Sequence, residues 1–259
     1  MSENYENQGP KYVYSADEKE ELLEYIEETF GEVGAMGAEK VSPDIELNLL
    51  IIKPTEDFPY LTLVTYGAGA YKMNVPEELA DQELEYAEYV MLLPGDWNLE
   101  TPDENSYWPV KLIKDCARLP IWTDSWMGPG HTTECEEDEE SYAPSVEFNG
   151  ALIKLAADHT DELSIVTLSS GRTVNFYLVV PLFPEELSCA MEDGTKALLD
   201  IFDEFELPYM VTDPERPRLN DIIAAAEEAG LFDEDDEDED EDYEDDEDEE
   251  DSSENNVLQ

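Results

Sequence analysis

Histidine is almost missing from this chain, with His131 and His159 the two present in 259 residues. That leaves little material for acid-base or nucleophilic chemistry at neutral pH. Cysteine is also scarce, and Cys116, Cys135 and Cys189 are odd in number and far apart, unlike the framework of a small disulfide-stapled secreted domain. Such usage predicts a reducing, cytoplasmic setting. No apolar run reaches the roughly 18 residues needed to cross a bilayer as a helix. The segment Met1 to Pro10 carries acidic and amide residues where a signal peptide has a basic start and an apolar stretch, so export is not expected. Basic residues are the largest deficit: 13 Lys and Arg face 69 Asp and Glu, a formal charge of -56. A surface of that sign repels phosphates within a Debye length of about 8 Å and lacks the cations that release counterions from DNA, which argues against nucleic acid and against anionic membranes as partners.

The acids are unevenly placed. Between Asp233 and Glu254, 19 of 22 positions are Asp or Glu, which predicts a disordered acidic tail over 231–259. Without that run the chain still holds 50 acids against 13 bases, so its body is acidic too. With 41% hydrophobic and 10% aromatic residues, the remainder can bury a core. The expected organisation is a flexible N-terminus over 1–14, one domain over 15–230 and the tail.

Ser15, with an acid three positions on and Leu22, Leu23, Ile26 and Phe30 at helical spacing, predicts a capped amphipathic helix to Phe30. Gly31, Gly34 and Gly37 are read as its end. Ile45–Ile52, Tyr60–Tyr66 and Glu85–Leu93 are branched or aromatic apolar runs and predict strands. Trp108–Leu119 reads as a helix with Pro109 at its first position and Pro120 as its stop. Ile121–Tyr142 has neither period and reads as a long ordered loop carrying Trp122, Trp126 and His131. Three more strands are expected at Val146–Ala156, Ser164–Leu168 and Thr173–Leu182, the last two joined by a turn at Ser170-Gly171. A long helix from Pro184 through Phe202 and a short one over Asn220–Ala229 close the series. Strands in two groups, with helices at the start, middle and end, make the class α+β or mixed α/β, a mixed sheet flanked by helices.

Tests for chemistry come out empty. Ser170 lacks the glycine of a nucleophile elbow. His131 and Cys135, four apart with Asp124 upstream, offer three ligand types that zinc accepts, but not the four spaced ligands of a structural site; neither a metal nor a cofactor is expected. Gly67-Ala68-Gly69 follows a strand as a phosphate cradle would, yet has no third glycine, lysine or helix start behind it. Trp97, Trp108, Trp122 and Trp126 remain. Four large rings within thirty residues either staple a loop to the core or, if one is exposed inside an acidic rim, mark a protein-binding hot spot.

Several ordered motifs then converge. Trp108-Pro109-Val110-Lys111-Leu112-Ile113-Lys114, Ala117-Arg118-Leu119-Pro120 and Trp126-Met127-Gly128-Pro129-Gly130-His131-Thr132 together resemble the bacterial type of the suppressor of fused domain family. The likeness extends upstream to Met73-Asn74-Val75-Pro76 and to Tyr89–Trp97, and downstream to Val174–Tyr177, Val180-Pro181-Leu182 and Glu185-Glu186-Leu187, covering about 40–218. The chain departs from the family pattern at Thr133 and in the acidic insert Glu134–Glu140.

What the resemblance implies is a mixed α/β domain without catalytic residues, of a family that in animals sequesters a transcription factor by gripping a short peptide and in bacteria is often encoded beside polymorphic toxins. Its motifs add Gly128 and Gly130 to Trp97, Trp108, Trp122, Asp124, Trp126 and His131 as candidate interaction residues. The expected function is a non-enzymatic, immunity or antitoxin-like binder of a basic protein, steered to it by charge. Alternatives are a regulatory peptide-sequestering module, a chaperone or nucleic-acid mimic acting through the tail, and an enzyme built on His131 with Asp124 or Glu134.

Overall fold

The structure, a computed structural model, describes residues 9–39, 43–99, 103–136, 139–157 and 164–229. The tail, His159, most of the N-terminal stretch and part of the acidic insert lie outside these residues.

Apolar alternation builds the centre. Strand β2 (Asn48–Ile52), β3 (Tyr60–Tyr66) and β4 (Ala87–Pro94) pair antiparallel in succession, and β1 (Val33–Ala38) adds to the outside of β2. The second group is β5 (Thr132–Glu134), β6 (Gly150–Leu155), β7 (Ile165–Thr167) and β8 (Thr173–Leu182). The order is β1-β2-β3-β4-β8-β6-β5, with β7 on β8 beside β6. Strand β8 is the hub: it runs parallel to β4 in the register Ala87↔Asn175 to Val90↔Leu178 and antiparallel to β6 and β7. The sheet is therefore mixed, as expected.

Side chains alternate across this sheet. Tyr89, Met91, Tyr177 and Val179 face helix α2 (Glu104–Thr123), where they meet Trp108, Leu112, Ile113 and Cys116. Val90, Phe176, Leu178 and Val180 face the other way, toward α1 (Ala16–Phe30), α3 (Pro184–Glu192), α4 (Thr195–Glu204) and α5 (Leu219–Glu228). Helices thus cover both faces.

The capping box of α1 forms as the sequence predicts: Ser15 Oγ accepts from Glu18 N at 3.2 Å, and Glu18 accepts from Ser15 N at 2.8 Å. Strands β3 and β8 match their predicted bounds, and the turn at Ser170-Gly171 joins β7 to β8. Four expectations are corrected. The glycines after Phe30 do more than end a helix, since Gly34 and Gly37 lie on β1, whose exposed side chains give no apolar alternation to read. Helix α2 starts a turn earlier, capped by Asp103, and runs through Pro109 and Pro120 to Thr123; both proline rings are buried, and that packing offsets the lost N–H donors. The stretch 121–142 contains the last turn of α2 and β5. The long helix after Pro184 is broken by Asp193-Gly194, with Gly194 at φ +93°, into α3 and α4.

Candidate partner-binding site

One face of α2, from Trp108 to Trp122, and the edge strand β5 define the site. Trp108, fully packed in the first turns of α2, stacks on Tyr142 at 5.9 Å and 4°, meets Trp97 edge-on at 6.1 Å and touches Phe148. Trp97 is fixed in turn by its Nε1 donating to Ser106 O at 2.9 Å. Above this floor Trp122, on the last turn of α2, is 59% exposed.

Between them lies a cleft of about 180 Å³, lined by Trp108, Lys111, Leu119, Trp122, Cys135 and Tyr142 among others. Its rim is acidic. Lys111 Nζ lies 3.6 Å from Glu139 and 3.7 Å from Glu136, and burial lifts the Asp115 carboxyl above its ordinary value. Two polar atoms on the floor, Trp108 Nε1 and Tyr142 Oη, are buried with no hydrogen-bond partner among the described residues. Orphaned buried donors of that kind are rare and cost about 1–3 kcal/mol each. Burial also pushes the Cys116 thiol up to about 12 and raises Cys135, leaving both protonated and weakly nucleophilic at neutral pH. On one side β5 pairs with β6; among the described residues no strand pairs with its other edge.

The remaining sequence candidates have structural positions beside the cleft. Asp124 is the left-handed C-cap of α2 at φ +49°, and its carbonyl accepts from Asn74 Nδ2 at 3.2 Å. Trp126 lies edge-on to His131 at 4.3 Å. His131 Nδ1 accepts from Gly128 N at 3.2 Å, and burial lowers its pKa, so the ring is neutral. A Cβ on Gly128 would lie 2.7 Å from the Trp126 ring, which explains the glycine. Gly130 N donates to Ile153 O and His131 O accepts from Ile153 N, both at 2.8 Å, so this turn starts the β5–β6 ladder. Asp124 and His131 are thus engaged in capping and turn formation, and Cys135 Sγ contacts Glu139 O at 3.2 Å. Among the described residues no three His, Cys, Asp or Glu side chains converge to hold a metal ion. Of the eight candidates, Trp108 and Trp122 line the cleft, Trp97 backs it, and the other five build the turn into β5. Lys111 and Tyr142 escaped sequence reasoning; the contact between α2 and the acidic insert has no local pattern.

Gly67-Ala68-Gly69 does cradle an anion, and the anion is the chain's own Glu88. Its Oε1 accepts from Tyr14 Oη at 2.9 Å, Gly67 N at 2.9 Å and Gly69 N at 3.1 Å; its Oε2 accepts from Thr65 Oγ1 at 2.6 Å and Ala68 N at 3.2 Å. A Cβ on Gly67 would sit 1.9 Å from Glu46 O, so only glycine can close this nest. A second enclosed acid, Glu186, forms a fork with Arg216, the two being 0% and 1% exposed. No helix among the described residues is long and apolar enough to cross a membrane.

Comparison with known proteins places this geometry. The family model described as suppressor of fused protein matches residues 43–217. A chain from a crystal structure of the Sufu–Fu complex superposes with a TM-score of 0.57 at 13% identity, over 84% of this chain and 97% of that one. A suppressor of fused homolog from Neisseria gonorrhoeae gives 0.52 at 15% identity, over 79% and 98%. An uncharacterised protein of Ureaplasma parvum serovar 3 is 26% identical over 204 residues, 74% of this chain and 92% of its own length.

Proposed function

This chain belongs to the suppressor of fused protein family, and from that premise we propose that it is a non-enzymatic binding domain that grips an extended, basic segment of another protein along β5, with one side chain in the Trp122 cleft. The cleft carries the proposal. An exposed tryptophan over a buried aromatic floor and a carboxylate rim together have the anatomy of a protein hot spot. Beside it the outer edge of β5, which no strand among the described residues pairs with, offers backbone groups for strand addition. The charge of -56 supports a cationic partner, held by the rim and steered from a distance. An immunity-type protein that blocks a basic toxin fits these properties in a bacterial cytoplasm; a module that sequesters a regulatory protein would use the same cleft.

The test is affinity capture from the source cell with wild type and Trp122→Ala as baits, followed by titration of the recovered partner. Loss of the ring is expected to weaken binding about thirty-fold, near 2 kcal/mol, with an unchanged melting curve because the side chain is mostly in solvent. Equal affinity of the two baits would remove the cleft from the site. Truncation after residue 230 is expected to slow association and reduce its salt dependence while leaving dissociation alone. If binding disappears with the tail instead, the protein works as an acidic-tail chaperone.

A further inference from the structure

The opposite margin of the sheet raises a separate question. Strand β1 is the outermost strand, and among the described residues no strand pairs with its outer edge. Val33 packs partly on the core, but residues 34–38 are exposed and Met36 is 58% exposed. Core burial therefore does not account for this segment being extended. It is held by its ladder to β2 along one edge and at its ends, where Val33 N donates to Glu27 Oε1 at 3.2 Å and Glu39 beyond Ala38 pairs with Arg118 and, at 3.1 Å, with Lys114 on α2. Edge strands are ordinarily blunted by charge, proline, a bulge or a cover. Over 33–38 there is neither charge nor proline, and the single irregularity, at Gly34, leaves Ala35–Ala38 in regular register with β2.

We infer that β1 is a second docking edge, which takes an extended segment of a basic protein by antiparallel strand addition. The occupant is chosen by charge. A second copy of this chain would bring another -56 against the first. Exposed Glu28 and Glu32, with Glu27, stand at the N-terminal end of β1, whereas Glu39 at the other end is already paired with Arg118 and Lys114. The partner strand should therefore carry its Lys or Arg at its own C-terminal end and tolerate small or apolar residues across from Met36. This surface is independent of the cleft site.

The probe is a synthetic peptide of alternating threonine and valine ending in two lysines, added to the intact chain and followed by amide hydrogen exchange. Exchange over 33–38 is expected to slow at least ten-fold. That protection should vanish with a fully N-methylated peptide of the same charge and with Met36→Lys at unchanged melting temperature. Moving the lysines to the N-terminal end of the peptide should weaken binding at least three-fold. Protection confined to 132–134, no protection at millimolar peptide, or equal protection by the methylated peptide would overturn the inference.

Discussion

Glu88→Ala is expected to yield a chain with no cooperative thermal transition. The carboxylate is 0% exposed and satisfies five donors from two separate segments, Tyr14 and 65–69, so its removal leaves Tyr14 Oη, Thr65 Oγ1 and the N–H groups of Gly67, Ala68 and Gly69 without partners in a dry site. At about 1–3 kcal/mol for each orphan, the loss rivals the 5–15 kcal/mol that typically separates native from unfolded chains. Glu88→Gln keeps the shape and one full acceptor, but its amide must point hydrogens at donors, and it is expected to cost about 2–4 kcal/mol. Urea unfolding of the purified variants checks both. A melting temperature for Glu88→Ala within a couple of degrees of wild type would mean that the nest does not depend on this side chain. A pH signature accompanies the prediction. Burial raises the Glu88 pKa above its ordinary 4.5 even though hydrogen bonds from Thr65, Gly67, Gly69 and Tyr14 pull it down. The native state thus holds a proton that the unfolded chain has released, and between 4.5 and the folded value this group's contribution to stability falls as pH rises. Glu88→Gln should remove that slope.

Arg216→Met is the second large effect. Both guanidinium nitrogens lie 2.5 Å from the Glu186 carboxylate, one also reaches Pro181 O at 3.3 Å, and the plane sits over Phe183 at 4.6 Å with Phe148 and Phe202 nearby. Methionine fills the space but strands a buried charge on Glu186. Breaking such a pair from one side costs about 3–5 kcal/mol, whereas replacing both members by uncharged groups is often nearly neutral. For a folded body of this size that loss lowers the melting temperature by about 10 °C. The double variant Arg216→Met, Glu186→Gln should recover most of it, because glutamine can still accept from Phe183 N, the bond of 2.9 Å that caps α3. A double variant no more stable than the single one would refute the account.

What could be read ahead of the structure was whatever its own neighbours in sequence determine. The Ser15–Glu18 box fixes the start of α1, and alternating branched residues fix β3 and β8, because each signal lies inside the element it specifies. Strand β1 was missed because its residues bury almost nothing and its support comes from β2 and α2. The limits of α2 were missed because two prolines that ordinarily bound a helix are here absorbed by packing, and with the wrong start the helical faces cannot be assigned. Hence the four tryptophans could be counted but Trp122 could not be told from the other three. Glu88 hid in a different way: in a chain with 69 acids one more inside an apolar run draws no notice, and Gly67-Ala68-Gly69, without a third glycine, a lysine or a helix start behind it, read against an anion cradle that the fold in fact closes around this side chain.

The parallel seam between β4 and β8 also has a consequence for biosynthesis. Strands β1 to β4 are sequential neighbours and can zip together as soon as they leave the ribosome, while the apolar flank of β4 waits for residues 175–178. At about 5–20 residues per second that wait lasts several seconds to nearly twenty, during which the nascent half-sheet is open to the wrong strand. The nest around Glu88 draws its backbone donors from the turn directly after β3, so this acid is sheltered before β8 arrives. The sheet's most hazardous margin is thus born with its one ionic group already neutralised by dipoles, ready to accept the late strand.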